Sequence, residues 1–405
     1  MHDITLGRVG PGILKSMEPI THFMTGACLA RAGCNRKAAY ATLAMTLAAE
    51  APDLDMLWSA RGPVAEFQHH RGITHTLVGA PFEGLAVVGV VWLLHRWRLR
   101  RARAAATADP PAPLDLDPLT DRPIAHPITA APVRWGLLYG FSLIALLSHI
   151  LLDWTNNYGV RPFFPFNPRW YAGSIVFIFE PVLFGVLLTG LLAPVLFGLI
   201  AGEVGARKAV FRGRGWAVFA LAAMVALWGW RQVEHDDAVR LAETANYGQV
   251  GSGAIPVLRV TASPYPGNPY RWHTVAETPD FYQMATVDSR TELVDTDPEQ
   301  DILYKPPTTP ATLVARQSWF GEVYLDWSSW PLVTDIGPVS SFGRDTSITP
   351  VATPKGTTAV TFRDLRFMYD VPFVEGRRNP PISGKVYLDD DRRVIGMELN
   401  GKPQH

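Results

Sequence analysis

The residues most able to do chemistry in this sequence stand in four short polar islands, each bordered by long apolar runs. The densest island is HHRGITHT at residues 69–76, which brings three imidazoles and a guanidinium together. Imidazoles and carboxylates without thiolates suit zinc, and they also suit manganese or iron. We therefore expect the fold to gather the islands into one metal site. The other islands are PDLD at residues 52–55, Thr21-His22, and His149 with Asp153.

His149 and Asp153 are four residues apart in SHILLDWTNN. Side chains at this spacing share one face of a helix, so the imidazole and the carboxylate can chelate one cation. An ordinary hydrogen bond between the two side chains is the alternative. The apolar surroundings favour a functional pair, because ionisable groups in such helices usually have a role.

The PDLD island places two carboxylates just beyond a helix end, since Pro52 disfavours the helical conformation in the residue before it. In an extended segment, Asp53 and Asp55 would point to opposite faces. One carboxylate could then bind a metal while the other orients a histidine ligand. A helix-terminating turn with solvated aspartates is the alternative.

In HHRGITHT, Gly72 permits a sharp turn that lets His70 and His75 converge. Thr74 is placed to cap the helix that follows. Arg71 would lie beside the metal, where its fork of donors suits phosphate oxygens. An exposed polar loop is the alternative interpretation.

The composition indicates two domains in a chain of 405 residues. Basic and acidic residues are both 37 in number, so the net charge gives no case for nucleic-acid binding. The two cysteines, Cys28 and Cys34, are too few for a disulfide framework or a thiolate zinc site. Leu, Val, Ala and Phe dominate up to about Trp230, and polar residues, Pro and strand-like alternation follow.

The apolar pattern predicts a mainly α protein, in which a polytopic helical membrane domain precedes a β-rich soluble domain. Two helices, Ile20–Ala32 and Lys37–Ala51, would be roughly 20 Å long, shorter than the bilayer core of ~30 Å. Four other segments are expected to span the membrane: Leu77–Trp97, Trp135–Leu152, Pro181–Ile200 and the shorter Trp216–Trp230. The predicted divisions are a flexible tail at 1–17, a membrane domain at 18–235 with a cytoplasmic linker at 104–133, and a β-rich domain at 240–405.

The basic residues predict the orientation, because Lys and Arg concentrate in cytoplasmic loops. Three basic segments, around 31–37, 96–103 and 207–214, fall on one side of the predicted helices. All the polar islands, and Glu180, then fall on the opposite side, together with the β-rich domain. We therefore predict a multi-pass protein of the inner (cytoplasmic) membrane, with its metal site on the periplasmic or extracellular side.

The motifs ITHFMTG, APDLD, HHRGITHT, HILLDWTNNYGVRPFFPF and FEPVLF, in this order, resemble the YdjM-type inner-membrane metal-dependent hydrolase family. Thr76 is a mild departure from the family's motif, because the family often has Ser at this position. The resemblance implies metal binding by His22, Asp53, His70, His75, His149 and Asp153, with Asp55 and Glu180 as further candidates. The family is also similar to zinc-dependent phospholipase C and the P1-type nucleases, which suggests a phosphoester substrate.

The predicted function is a membrane-bound, metal-dependent phosphoester hydrolase. A bound metal lowers the pKa of water towards neutrality. Asp55 or Glu50 could accept a proton, and Arg71 could stabilise charge on a phosphoryl oxygen. A site at the bilayer surface favours contact with membrane lipids and a lipid-linked substrate. The alternative is a non-catalytic metal-stabilised scaffold or a transporter, although a transporter usually places its ionisable groups near the membrane midplane.

Overall fold

The computed structural model describes residues 11–108, 132–203, 213–247, 255–297, 300–342, 351–371 and 374–404. Several predictions fall outside these residues. They concern residues 1–10 of the tail, residues 109–131 of the linker, and the basic residues Arg207, Lys208 and Arg212.

The N-terminal part of the chain is helical. Its first helix begins at Pro11, so residues 11–17 of the predicted tail belong to a helix. Three 3-10 helices interrupt the series at Cys34–Arg36, Pro52–Arg61 and Ile73–His75. The α-helices are α1 (Pro11–Ala32), α2 (Ala41–Glu50), α3 (Pro63–His69), α4 (Ala80–Ala108), α5 (Trp135–Thr155), α6 (Pro181–Glu203) and α7 (Arg214–Thr244).

Three helices of the described chain are long and apolar enough to cross a membrane: Trp135–Thr155, Pro181–Gly198 and Arg214–Thr244. The predicted span at Leu77–Trp97 has a different shape. Helical segments Pro63–His75 and Ala80–Ala104 meet at a bend of 86° and count as a fourth span only when taken together. The last helix is also longer than predicted, because it continues past Trp230 to Thr244.

Small residues let α2 pack closely against its neighbours. Ala41, Ala44 and Ala48 on α2 are fully buried with Leu138 and Leu146 of α5 in one apolar cluster. A Cβ atom added at Gly26 of α1 would lie 2.7 Å from the Met45 carbonyl oxygen, so only glycine permits this helix contact. Close approach through small residues is typical of helix packing in membranes. Here it brings the middle of α1 beside α2 and α5.

The C-terminal part consists largely of antiparallel sheets, as predicted. Two helices, α8 (Pro310–Arg316) and α9 (Trp319–Trp327), lie between its strands. The first five-stranded sheet contains β1 (Arg259–Pro264), β2 (Arg271–Glu277), β3 (Phe281–Asp288), β4 (Leu293–Asp295) and β5 (Ile302–Tyr304). The second contains β6 (Pro331–Pro338), β9 (Thr358–Asp364), β12 (Gly384–Leu388), β13 (Val394–Leu399) and β14 (Lys402–Pro403). Short two-stranded pairs join β7 (Ser341–Phe342) to β8 (Val351–Ala352), and β10 (Asp370–Val371) to β11 (Val374–Glu375).

The predicted hairpin at the C-terminal end is present, because β12 and β13 pair antiparallel around Asp390-Asp391. Its predicted apolar face is only partly buried. Leu399 is buried and Met397 is half-buried, whereas Ile395 is exposed. The burial therefore begins near the end of β13 that contacts the helical domain.

The two domains share a core. Val64, Phe67 and Tyr158 of the helical domain pack with Phe320 and Trp327 of the β-rich domain. The contact therefore lies next to HHRGITHT and to the end of α5. The β-rich domain packs against the end of the helical domain that carries the polar islands.

The orientation gives a first testable prediction. In a chain whose Cys28 and Cys34 are replaced by alanine, Arg101→Cys should react with an impermeant thiol reagent only from the cytoplasmic side. Asp391→Cys should react only from the outside, because an even number of crossings separates the β-rich domain from the end of α5. Labelling of Asp391→Cys in intact cells checks this expectation. Reaction of both cysteines from the same side would contradict the proposed topology.

Candidate metal centre

Five ionisable side chains from four separate elements converge at one end of the helical domain. Histidines 22, 75 and 149 and Asp153 are at most 2% exposed, and Asp53 has a 19% exposed side chain. The five residues are His22 on α1, Asp53 and His75 on two 3-10 helices, and His149 and Asp153 on α5. The structure thus brings together members of all four islands.

The ligand atoms lie at the spacings that a metal ion requires. The Nε2 atoms of His75 and His149 are 3.1 Å apart, and Asp153 Oδ2 lies 3.2 Å from the first and 3.3 Å from the second. Asp53 Oδ1 lies 3.5 Å from His75 Nε2 and 3.6 Å from His149 Nε2. Ligands at about 2.0–2.1 Å from zinc are separated by about 3.4 Å in a tetrahedron. The three atoms of His75, His149 and Asp153 therefore fit one zinc-sized ion, and Asp53 Oδ1 lies beside the two imidazole nitrogens.

His22 lies at the edge of this set. Its Nε2 atom is 3.4 Å from Asp153 Oδ1, and its ring stacks on that of His149 with 3.8 Å between the centroids. Histidine 22, Asp53 and His149 form one group with metal-ligand spacing, and His75, His149 and Asp153 form a second. The two groups share His149, so His22 and Asp53 lie beside the group formed by His75, His149 and Asp153.

Hydrogen bonds fix how the two central imidazoles are oriented. The Nδ1 atom of His149 donates to the Ala49 carbonyl oxygen at 2.7 Å, which leaves the Nε2 lone pair facing the cluster. The Nδ1 atom of His75 lies 3.0 Å from the Thr74 hydroxyl oxygen and 3.4 Å from Asp55 Oδ2. Donation from Nδ1 to the hydroxyl oxygen leaves the Nε2 lone pair of His75 facing the cluster. Two lone pairs then face two carboxylates, an arrangement that a cation stabilises and that is repulsive without positive charge.

Asp55 is not one of the clustered ligand residues His75, His149, Asp153 and Asp53, here called the central set. It orients residues that surround this set. Its Oδ2 atom accepts a hydrogen bond from the Arg71 backbone at 2.8 Å, and its Oδ1 lies 3.2 Å from His70 Nδ1. Burial raises the pKa of Asp55, but the hydrogen bond and charge of His70 outweigh it, so the pKa lies below its usual range. Asp55 is thus a carboxylate that positions histidines, the arrangement typical of metal sites.

His70 was predicted to be a ligand, and the structure places it outside the central set. Its side chain is 30% exposed and contacts Asp55. Its ring lies 6.0 Å from that of His75, measured between centroids. The chain reverses at Arg71, which has a positive φ of 53°, whereas Gly72 has a φ of −78°. This turn carries His75, but not His70, into the cluster.

Arg71 was predicted to bind a substrate phosphate, and the structure gives it another role. Its side chain is fully buried, and Nη2 pairs with Asp153 Oδ1 at 2.7 Å. Its Nη1 donates to the Gly159 carbonyl oxygen at 2.9 Å and to Asn156 Oδ1 at 3.2 Å. Because these donors are bound to protein acceptors, Arg71 positions Asp153 instead of facing a substrate.

Two further predictions require correction. Glu180 does not join the cluster, because Oε2 accepts from Arg231 at 2.8 Å and Oε1 accepts from the Gly267 backbone at 3.0 Å. This buried pair joins the start of α6 to α7 and to the β-rich domain. Thr74 does not cap α4, because this helix begins only at Ala80. The Thr74 hydroxyl lies 3.0 Å from His75 Nδ1 instead. The Thr76 hydroxyl oxygen accepts a hydrogen bond from the Gly79 backbone N–H.

Two glutamates, Glu50 and Glu83, place further carboxyl groups next to the cluster. Glu50, at the end of α2, has an Oε1 atom with no hydrogen-bond partner among the described residues. Burial, together with the charge of Asp53, raises the pKa of Glu50 to about 7. Glu83, in the first turn of α4, is close enough to interact electrostatically with His75 and His149. Glu83 was not predicted from the sequence as a site residue, although a lone acidic residue at the start of an apolar helix indicates a functional position.

This geometry defines the class of the protein: a helical membrane protein with a buried His/Asp centre. The sequence model of the YdjM inner membrane protein family matches residues 17–238, so the chain belongs to that family, as the motifs indicated. It is also similar to the uncharacterized protein YfhP of Bacillus subtilis (strain 168), with 23% identity over 176 residues. That alignment covers 42% of this chain and 43% of YfhP, so this chain spans less than half the length of that relative. No solved structure matches significantly.

The revised role of Glu180 gives a second prediction. Glu180→Ala leaves the Arg231 guanidinium buried without its carboxylate, which should lower the free energy of unfolding by about 3–5 kcal/mol. The metal content per folded molecule should stay at the wild-type value. Thermal unfolding and elemental analysis of the purified protein check both statements. Loss of metal at unchanged stability would return Glu180 to the ligand set.

Proposed function

We propose that this protein is a metal-dependent hydrolase of the inner (cytoplasmic) membrane, acting on a phosphoester at the outer face of that membrane. The observation that carries the proposal is the buried group of His75, His149 and Asp153, whose three ligand atoms lie 3.1–3.3 Å apart. Asp53 Oδ1 lies 3.5 Å and 3.6 Å from the two imidazole nitrogens. Zinc is the preferred ion because the ligands are nitrogen and oxygen atoms at tetrahedral spacing, and manganese or iron would use the same ligands.

The chain supplies separate groups for binding, positioning and proton transfer. His75, His149, Asp53 and Asp153 hold the ion, with His22 as a further ligand. A divalent cation supplies Lewis acidity and lowers the pKa of water. Glu50 is the better proton acceptor than Asp55, because Asp55 already accepts hydrogen bonds from its neighbours whereas Glu50 keeps an oxygen unpartnered.

The surroundings of the cluster support a lipid-borne substrate. The 3-10 helix Pro52–Arg61 turns Asp53 and Asp55 towards the cluster and leaves Leu54, Met56 and Leu57 at least 60% exposed. Apolar side chains at the end of a membrane domain can contact acyl chains while the polar centre meets a headgroup. With Arg71 buried, the exposed Arg61 is a cationic group available to an anionic substrate in this region, and the half-buried His69 and His70 offer ring nitrogens for hydrogen bonds.

A structural metal site is the competing proposal, and the burial of Arg71 behind Asp153 favours it. A structural zinc site is closed by four protein ligands, whereas a catalytic site keeps a position for water. The partial exposure of Asp53 favours the catalytic alternative, because it opens one side of the cluster to solvent. A transporter is disfavoured, since the ionisable groups lie at helix ends instead of at breaks near the midplane.

The ligand set gives a third prediction. His149→Ala and Asp153→Ala should each lose the bound metal and hydrolysis of the substrate by at least about a hundredfold. His95→Gln is the matched control, because His95 lies in the same domain and contacts Tyr40 instead of the cluster. Metal analysis and turnover on a panel of soluble and lipid-linked phosphoesters provide the measurements. Wild-type metal content in both alanine variants would remove the pair from the ligand set.

The division of roles between Glu50 and Asp55 gives a fourth prediction. Glu50→Gln keeps the shape but removes the proton acceptor, so turnover should fall by about a hundredfold or more while metal binding persists. Asp55→Asn should instead weaken metal binding about tenfold or more, because it loosens the orientation of the histidines. Metal titrations alongside turnover distinguish the two. Equal metal loss in both variants would assign Glu50 to the metal centre, and full activity in Glu50→Gln would exclude it as the proton acceptor.

A further inference from the structure

The segment that follows α5, here called the 156–162 loop, connects the metal ligands to the β-rich domain. Its inner side is held by Arg71, which donates to Asn156 Oδ1 and to the Gly159 carbonyl oxygen. Asn156 Oδ1 also accepts the backbone N–H of Tyr158 at 2.9 Å, which closes a tight turn. The same guanidinium pairs with Asp153, so the shape of this loop fixes the position of a metal ligand.

The outer side of the loop is held by the β-rich domain. Arg366 Nη1 donates to the Asn157 carbonyl oxygen at 2.7 Å. The next carbonyl oxygen, that of Tyr158, accepts from Trp327 Nε1 at 3.2 Å. Two consecutive backbone acceptors of the loop are therefore bound by donors from the other domain.

The Arg366 donor is itself held in place. Asp364 accepts from Arg366 through both oxygens, with Oδ1 at 3.0 Å from Nε and Oδ2 at 2.8 Å from Nη2. Ser328 donates to the same Asp364 Oδ2 at 2.6 Å, and Asp364 is fully buried. The guanidinium of Arg366 is thus held in one orientation, which suits positioning the loop more than binding a mobile ligand.

We propose that the β-rich domain positions the metal centre, with Arg366 and Trp327 as positioning residues that act through the 156–162 loop and Arg71 on Asp153. The proposal rests on the proposed metal site and assigns a task to the domain that lies beyond the family match. Within the described residues, the chain of contacts runs unbroken from Ser328 to Asp153. Loss of either outer donor should loosen the loop and weaken metal binding, although neither residue approaches the cluster.

The test uses the full-length purified protein with Zn²⁺ alone as the probe. Trp327→Phe removes one N–H donor and keeps an aromatic ring in the shared core. Arg366→Lys keeps a charge beside Asp364 but loses the fork, and Arg366→Ala removes both. Arg377→Lys is the matched control, since Arg377 pairs with the buried Asp301 at 2.7 Å within the β-rich domain.

Two measurements are made on each variant: Zn²⁺ affinity by competition with a chromophoric chelator, and hydrogen exchange of the backbone amides in the 156–162 loop. We expect Trp327→Phe and Arg366→Lys to speed the exchange about tenfold, the scale of one lost hydrogen bond. Zn²⁺ binding should weaken about threefold in these variants and about tenfold or more in Arg366→Ala. Arg377→Lys should match the wild type in both measurements.

The failures of the two proposals are distinguishable. Wild-type Zn²⁺ affinity and loop exchange in both Trp327→Phe and Arg366→Lys would overturn the positioning role and leave the metal site intact. Absence of Zn²⁺ binding by the wild-type protein would overturn the metal site itself. Equal losses in Arg377→Lys would show that general destabilisation of the β-rich domain, and not the two donors, weakens the site.

Discussion

The buried pair between Arg71 and Asp153 is the interaction on which the other features of this site depend. Two charged groups removed from water are stable only when their geometry is good and their remaining hydrogen-bond positions are filled. Asp153 meets Arg71 on one oxygen and two imidazoles on the other. Arg71 is in turn bound by the loop after α5. The positions of α5, HHRGITHT and this loop are therefore coupled through one carboxylate.

The membrane domain makes such a concentration of charge possible by placing it at helix ends. Apolar packing of α1, α2 and α5 fixes their relative positions through small residues, and the polar islands follow where these helices end or break. Backbone groups at those ends also contribute, as the Ala49 carbonyl oxygen shows by accepting from His149. Buried carboxylates are costly unless they are paired or coordinate a metal, so the burial of these side chains supports the proposed metal site.

The sequence predicted which islands meet, but not how each residue is used. The His149 and Asp153 spacing, the order of the motifs and the basic residues were sufficient to predict a helical membrane domain with one His/Asp cluster. The roles of Arg71, His70 and Glu180 depended on partners far away in the chain, namely Gly159, Asp55 and Arg231. A residue's local sequence cannot show whether its charge is already paired. The contact between Arg366 and the loop could not be predicted for the same reason, since the acceptor is the backbone carbonyl oxygen of Asn157.

X-ray absorption spectroscopy of the zinc-loaded, full-length protein tests the central claim most directly. We expect stoichiometric zinc with nitrogen and oxygen ligands at about 2.0–2.2 Å and clear imidazole scattering, without sulfur. The same spectrum should be lost in a protein that carries His75→Ala. A wild-type protein that retains no zinc, manganese or iron, or one whose metal has sulfur ligands from Cys28 or Cys34, would contradict the assignment of the His/Asp cluster as the metal centre.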